Sequence, residues 1–528
     1  MSKRFIVDFR IASEERNTYF SDDWQWPVAQ STYDDVLREF VEYTYRLPGE
    51  LTHNQPLKLA YELVEVNLLK ELVSIVAVWI DVAVSKQKQL ELVFHPQQTL
   101  YEMFSNNKFE TYSVVQDIYK ARYGTLRSRA GRRLRRFARW SGINRVSNPN
   151  LSISPNKLTA QITPESTTDF RIDPDDLNRA RLSQSTTVLG LDELVDEILG
   201  HLYHALETID TPFTTSGRNF VHQLITNHLR NGSADQNVKL PVSNVDHSTH
   251  LYTGTGGIYR SRLASHLIAR EGGTVTRATH GGDTVLFDDP VWVNTELPFA
   301  TNYASYGAQA ADVIGRLVTE HPRAQSLQSV PTIFAAGSNY HSELVSNASA
   351  NEAIDIGGSV AVIAASFTGE RRVVPHVKVH DVVYLEWHRR LLDSIRGLGY
   401  KTISKRHPKG LGADLNLFTP NSDTELTQTS MASLGNVEGF VLDIAGSAFM
   451  EAMCSLKPVV LVDIPTRRMT DEGRSRILES AQIVKAEFDS NNRIQIEVDQ
   501  LREALIQPID LDARHRFLSD YLLRPSAV

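Results

Sequence analysis

The residues best suited to chemistry lie in the last third of the chain, where Lys405-Arg406-His407-Pro408-Lys409 sets an imidazole among cations after the strand-like run 400–404. Farther on, Asp443-Ile444-Ala445-Gly446-Ser447 opens a helical pattern over 449–456 and leads into the strand-like run 458–463. Backbone N–H groups at a helix start hold anions, and Ser447 adds a hydroxyl donor. Glu451 falls one helical turn along the same face, where it suits the hydroxyls of a ribose. A protonated His407 can donate to a departing phosphate and offset the charge that grows as the bond to it breaks. Neighbouring lysines depress the imidazole's pKa, whereas a bound phosphate raises it. Lys405, His407, Pro408, Gly446, Ser447 and Glu451 are therefore the candidate nucleotide-binding residues. The plainer alternatives are a solvated basic turn for 405–409 and an ordinary N-cap for Ser447.

A second constellation stands earlier. His280-Gly281-Gly282-Asp283 closes the strand-like run 274–279 at its carboxyl end, the edge where open α/β sheets bind ligands. The glycines allow close approach to the backbone, and His280 with Asp283 offers an acid/base or nucleophile pair. The stretch 296–307 then supplies Glu296, Tyr303 and Tyr306, groups able to grip a polyol. Asp283, His280 and Glu296 are the catalytic candidates; Gly281, Gly282, Tyr303 and Tyr306 are the candidates for the sugar or acceptor. A glycine turn capped by Asp283 is the structural alternative.

These loops need rigid elements behind them. From about residue 250 the pattern alternates strand and helix in two blocks, which predicts an α/β fold of two Rossmann-like, doubly wound domains facing a cleft. Additional N-terminal helical elements precede them, the clearest at 56–80, where Leu59, Leu63, Val66, Leu69, Leu72 and Ile75 recur at three- and four-residue steps. The expected boundaries are 1–325 for the first, acceptor-side domain and 326–495 for the second, which would begin with the strand 332–335. The helices of 496–528 would pack back across the boundary. Inside the first domain, 120–146 is crowded with arginines (Arg127, Arg129, Arg132, Arg133, Arg135, Arg136 and Arg139 among them), and the Ser/Asn/Pro/Thr-rich 147–168 reads as a linker or surface loop.

Composition narrows the class. The 528 residues, 41% hydrophobic and 22% charged, are ordinary for a globular protein, and a net charge of −8 argues against a general nucleic-acid binder. One cysteine, Cys454, excludes a disulfide framework and suits a reducing compartment. The N-terminus lacks the apolar core of a signal peptide, and the most apolar window, 72–84, is too short to span a bilayer and carries Asp81. The expected location is cytoplasmic, with the arginine segment as a contact for anionic lipid of the inner leaflet or for an acidic glycan. Asp288-Asp289 is followed by Pro290 and is a poor metal pair, and His95-Pro96 and His321-Pro322 lack basic neighbours. Thr253-Gly254-Thr255-Gly256-Gly257 fits neither a P-loop nor a dinucleotide fingerprint, which disfavours ATP and NAD.

Taken together, the glycine-rich turn before a strand ending in His-Gly-Gly, the Tyr303-x-x-Tyr306-Gly motif, the His407-Pro408 turn and the Ser447 helix start resemble bacterial surface-polysaccharide glycosyltransferases. The likeness is to the GT-B type that uses CMP-sugars, with capsule and lipopolysaccharide Kdo transferases as the suggested members. His-Pro is also the CMP-phosphate motif of bacterial sialyltransferases of that architecture. The resemblance covers roughly 250–465. It implies metal-independent transfer of Kdo or a related ulosonic acid from a CMP donor onto a lipid-linked or oligosaccharide acceptor, with no cofactor beyond the donor. His407 and Ser447 would contact the CMP phosphate, and His280 would face the sugar or acceptor. Related enzymes often carry Ser-Ser or Ser-Thr where this chain has the single Ser447. Two rivals remain: a CDP-polyol phosphotransferase of the teichoic-acid kind, and a non-catalytic polysaccharide-assembly protein.

Overall fold

The protein is described by a computed structural model covering residues 3–109, 149–170, 172, 177, 181, 188–207, 209, 212–240, 242, 245–288, 291–348, 358–371, 379–408, 410–412, 414–427, 434 and 437–524. The arginine-rich 120–146, and with it the expected lipid or glycan contact, lies outside these residues.

Two parallel sheets carry the architecture. The first joins β3 (Asn150–Ile153), β4 (Thr168–Asp169), β5 (His250–Thr253), β6 (Thr274–Ala278), β7 (Asn302–Ser305) and β8 (Thr332–Ala335) in the order β4-β3-β5-β6-β7-β8. The second joins β9 (Ser359–Ile363), β10 (Lys401–Lys405), β11 (Thr424–Leu426), β12 (Gly439–Leu442), β13 (Val459–Asp463), β14 (Gln482–Phe488) and β15 (Ile494–Ile496) in the order β11-β10-β9-β12-β13-β14-β15. Its first six strands follow the doubly wound order 3-2-1-4-5-6, and β15 closes the edge antiparallel to β14. Central strands such as Gly439–Leu442 and Val459–Asp463 are apolar on both faces, as a sheet covered by helices on each side requires. The chain thus has the expected α/β fold of two Rossmann-like domains with N-terminal helices.

Three expectations about organisation are corrected. The strand 332–335 does not open the second domain: β8 is the edge of the first sheet, paired with β7 from Asn302–Thr332 to Ser305–Ala335. The stretch 147–168 is not a linker over its described part. It holds β3, which pairs on both sides with β4 and β5, and a short helix, Lys157–Ile162. Nor do residues 3–109 belong to the first domain alone. The parallel pair β1 (Arg4–Ile6) and β2 (Glu91–Val93) and the long helix Gln55–Gln87 share one core with Leu385, Trp387 and Val460 of the second. That helix is buried nearly all round because its two ends serve different domains. Glu65 pairs with Arg262 (3.0 Å) and Arg323 (3.4 Å) of the first domain, while Asp81 accepts from Tyr101 (2.5 Å) near His380 of the second.

The end of the chain does cross back. Buried Arg514 donates to the carbonyls of Met453, Lys457 and Ser480 in the second domain. The helix Leu511–Tyr521 then reaches the first, where Gly307 N–H donates to Tyr521 O and Ser338 N–H to Leu522 O.

Candidate functional site

In a parallel sheet every strand ends on the same edge, so the loops after β3, β6, β7 and β8 share one rim and those after β10, β12 and β13 share another. The two rims meet. A Cβ on Gly281 would stand 3.1 Å from Ser447 Oγ and 2.6 Å from Asp283 Oδ1, so a bare glycine is what lets these loops touch. Arg467, after β13, pairs with Asp283 at 3.1 Å and lies over the Phe287 ring. Lys157, after β3, reaches Glu451 Oε1 at 3.4 Å. Beside these side chains, Asp288 N–H donates to Arg468 O and Thr470 N–H to Leu286 O, stitching the domains through backbone. The pocket left beside the Ser447 loop, lined by Phe287, Ile444, Leu461, Ile464 and Arg467 among others, holds only ≈ 60 Å³.

On the second rim, Lys405 and Leu442 are both in register with Ile363, so β10 and β12 end level. With β9 between them, these ends stand about 10 Å apart. His407 and Pro408 are exposed just past β10, and Ser447 is exposed just past β12. Lys405 is buried; burial lowers its pKa, against which the Glu451 carboxylate acts. Arg406 is committed to structure, pairing with Glu425 (2.7 Å) and donating to Gly412 O (2.6 Å) and Leu415 O. Lys409 lies outside the described residues. Beneath the Ser447 loop, Asp443 accepts from Tyr384 Oη (2.9 Å) and Trp387 Nε1 (3.2 Å) and faces His388 Nε2 at 3.2 Å. Gly446 stands at the start of the helix Ser447–Met453, with open space around its α-carbon except for Ile444.

The first rim brings some expected residues to the cleft and withdraws others. His280 is exposed and makes no hydrogen bond or ion pair among the described residues. Asp283 is 22% exposed at its contact with Arg467. Gly282 packs against Met450 and Leu522 and belongs to the domain seam rather than an open surface. Tyr306 lies near Glu451 and Asp283, and burial first, then these carboxylates, pushes its phenol up to about 12. Tyr303 is not a sugar-binding residue: it is fully buried in the core, 6.2 Å from the Trp292 ring centre. Glu296 is not placed for catalysis either. It is buried and accepts from Gly256 N (2.8 Å) and Thr255 Oγ1 (2.9 Å), so the chain's own carboxylate fills the glycine turn.

Lys157, Tyr340, Arg467 and Asp443 were not singled out by sequence. Lys157 is placed by Asn156, whose side chain donates to Gly254 O (3.0 Å) and Thr279 O (2.8 Å) and accepts from Thr159 N (2.7 Å), tying together the loops after β3, β5 and β6. Its ammonium sits 3.1 Å from the centre of the Tyr340 ring. Position is a usable signal for Arg467, which follows the carboxyl end of a strand legible in sequence; Lys157 follows β3, which is not. Among the described residues no group of three or more His, Cys, Asp or Glu side chains could hold a metal ion, and no helix is long and apolar enough to cross a membrane. Cys454 is buried, and burial pushes its thiol up to about 12.

No protein-family model matches the chain, and no curated protein matches it. Among solved structures it is similar to a mutant of Staphylococcus aureus TarM in complex with Fondaparinux, alpha-GlcNAc-glycerol and UDP, at 11% identity and a TM-score of 0.30. The match covers 53% of each chain, so this chain spans about half the length of that one, and a likeness of this size carries no functional argument.

Proposed function

We propose that the protein is a glycosyltransferase that moves an acidic sugar, Kdo or a related ulosonic acid, from a CMP donor onto a surface-glycan acceptor. One observation supports this above the others: the carboxyl edges of two Rossmann-like sheets face each other, with Gly281 of the His-Gly-Gly-Asp loop against Ser447 of the Gly-Ser loop. Such an arrangement suits a donor and an acceptor on opposite walls of one cleft.

In this reading the bond between the anomeric carbon and the phosphate oxygen breaks, and CMP leaves with the electron pair. Lys405 and His407 stabilise the departing phosphate, Ser447 donates to it, and Glu451 holds the ribose. The acceptor oxygen bonds to the anomeric carbon and gives up its proton. With Glu296 committed to the glycine turn, Asp283 is the remaining candidate carboxylate in this reading, and His280 is the neighbouring base. If Asp283 takes the acceptor proton, configuration inverts; if it first forms an ester with the sugar, configuration is retained.

The test is incubation with CMP-Kdo, CMP-sialic acid and CDP-glycerol. Release of CMP from either of the first two, lost in Asp283→Asn, supports the proposal. Transfer of glycerol phosphate would instead assign the CDP-polyol phosphotransferase. Calorimetric titrations with CMP and CDP that show no binding would leave the non-catalytic assembly protein.

A further inference from the structure

Glu451, assigned above to the donor's ribose, is already engaged, and its partners come from the opposite domain. Lys157 Nζ stands 3.4 Å from Glu451 Oε1, and its ammonium lies over the ring of Tyr340, also a first-domain residue. Burial and the Glu451 carboxylate both raise the Tyr340 phenol's pKa, which places that phenol at the same carboxylate. Across the sheet edge, Lys405 acts on Glu451 from the second domain. The Glu451 carboxylate is therefore in contact with one ammonium, that of Lys157, and lies in the field of a second, that of Lys405.

The arrangement is unequal in a way that favours exchange. Glu451 is the held member, with 17% of its side chain exposed, whereas Lys157 is 58% exposed. An ion pair with so exposed a member contributes little, so giving it up costs little. The root of Lys157 is fixed by Asn156, and its ammonium lies over the Tyr340 ring, which holds it near Glu451. When ribose hydroxyls occupy Glu451, the two lysines and one carboxylate leave a net positive charge beside the sugar nucleotide. Arg467, a second-domain cation that crosses to the first, is already paired with Asp283.

We infer that Lys157 is a donor-binding residue supplied by the first domain: it bridges to Glu451 and swings its ammonium to an anionic group of the donor when the ribose takes Glu451. This inference rests on the proposed nucleotide site. The anion is the donor's phosphate or its sugar carboxylate, and binding experiments separate them. Cytidine, CMP and CMP-sialic acid would be titrated calorimetrically into the wild-type chain, Lys157→Gln, Lys157→Arg and Glu451→Gln, with melting temperatures as the folding control.

If the phosphate is the anion, Lys157→Gln weakens CMP and CMP-sialic acid about tenfold while cytidine binds as before or tighter. If the sugar carboxylate is the anion, only CMP-sialic acid weakens. In both cases Lys157→Arg restores most of the loss, and Glu451→Gln weakens all three ligands. Equal effects of Lys157→Gln on all three ligands, or none, would overturn the inference while leaving the nucleotide site standing. Absence of any nucleotide binding to the wild-type chain would overturn both.

Discussion

Two carboxylates, Glu296 and Asp283, suit catalysis equally by sequence, and their surroundings predict opposite consequences of removing each charge. Glu296 is 5% exposed, accepts from Gly256 N–H and Thr255 Oγ1, and lies in the field of Lys70, Arg262 and Arg277. Glu296→Gln keeps one acceptor but removes the carboxylate charge acting on buried Lys70 and Arg277, while Arg262 keeps Glu65; breaking a buried charge pairing of this kind costs about 3–5 kcal/mol. For a unit the size of one α/β domain, 3 kcal/mol lowers the melting temperature by about 6–12 °C. Asp283→Asn loses a partly exposed contact with Arg467, worth about 1 kcal/mol, or about 2–4 °C. Turnover should divide the other way. Well below its melting point Glu296→Gln keeps CMP release within about threefold of wild type, whereas Asp283→Asn loses about 100-fold or more, the contribution of a general acid or base. The assays are melting followed by both circular dichroism and tryptophan fluorescence, and CMP release normalised to folded protein. A Glu296→Gln protein that melts like wild type yet releases no CMP would refute the reasoning and return Glu296 to the chemistry.

Two further outcomes follow from the same geometry. Gly281 has φ −146°, open to any residue, so Gly281→Ala acts only through its Cβ, which must displace the Asp283 carboxylate and press on Ser447; CMP release should fall about tenfold. Gly446→Ala, whose Cβ meets nothing nearer than Ile444 at 3.6 Å, should leave the rate unchanged, and a harmless Gly281→Ala would show that the loops do not touch. Acid sensitivity has a defined sign as well. Burial holds His266 and His341 at about 4 against 6.5 in the unfolded chain, so their contribution is complete above pH 6.5 and lost as pH falls towards 4. Each adds about 1.4 kcal/mol per pH unit across that window, and Glu370, raised to about 7, acts in the opposite sense. Stability measured from pH 7 to 4 should fall less steeply in His266→Gln; an unchanged slope would show that the imidazole is not kept neutral.

Sequence made the second domain more legible than the first, for physical reasons. Strands such as Val459–Asp463 are continuous apolar runs between clear helices, and each is followed directly by a loop with distinctive chemistry. The first sheet hides its centre. β3 has only four residues, flanked by serine, asparagine and proline, and its strand character comes from pairing with β5, about a hundred residues away in the chain. Composition over a window cannot report such a pairing. The strand 332–335 was recognised as a strand, but which sheet it joins is decided by its pairing with β7, which no local pattern carries. Glu296 and Tyr303 lie in a stretch that reads as a polyol grip, yet only burial distinguishes a residue holding its own backbone from one awaiting a ligand. Lys157 was hidden for the same reason as β3, since a lysine in an apparent linker attracts no role.

How the domains are joined constrains how a ligand can enter. On one side the contacts are backbone and apolar: Asp288 to Arg468, Thr470 to Leu286, Gly307 to Tyr521, and a core in which Ala278 and Leu286 pack with Met450, Phe517 and Leu522. Glycines fix this seam at atomic distance, since a Cβ on Gly307 would meet Asp520 O at 2.1 Å and one on Gly473 would meet Leu286 O at 2.6 Å. Parting this seam would expose buried apolar surface and unpair backbone groups together, which is costly. On the other side, Lys157 meets Glu451 through a contact whose lysine is exposed and screened, and which costs little to separate. The ≈ 60 Å³ pocket beside Ile444 and Arg467 has room for water and not for a nucleotide, and neither Lys157 nor Glu451 lines it. Were the domains to part, the contact of Lys157 with Glu451 would give way before the seam of backbone bonds, because it is the weaker of the two.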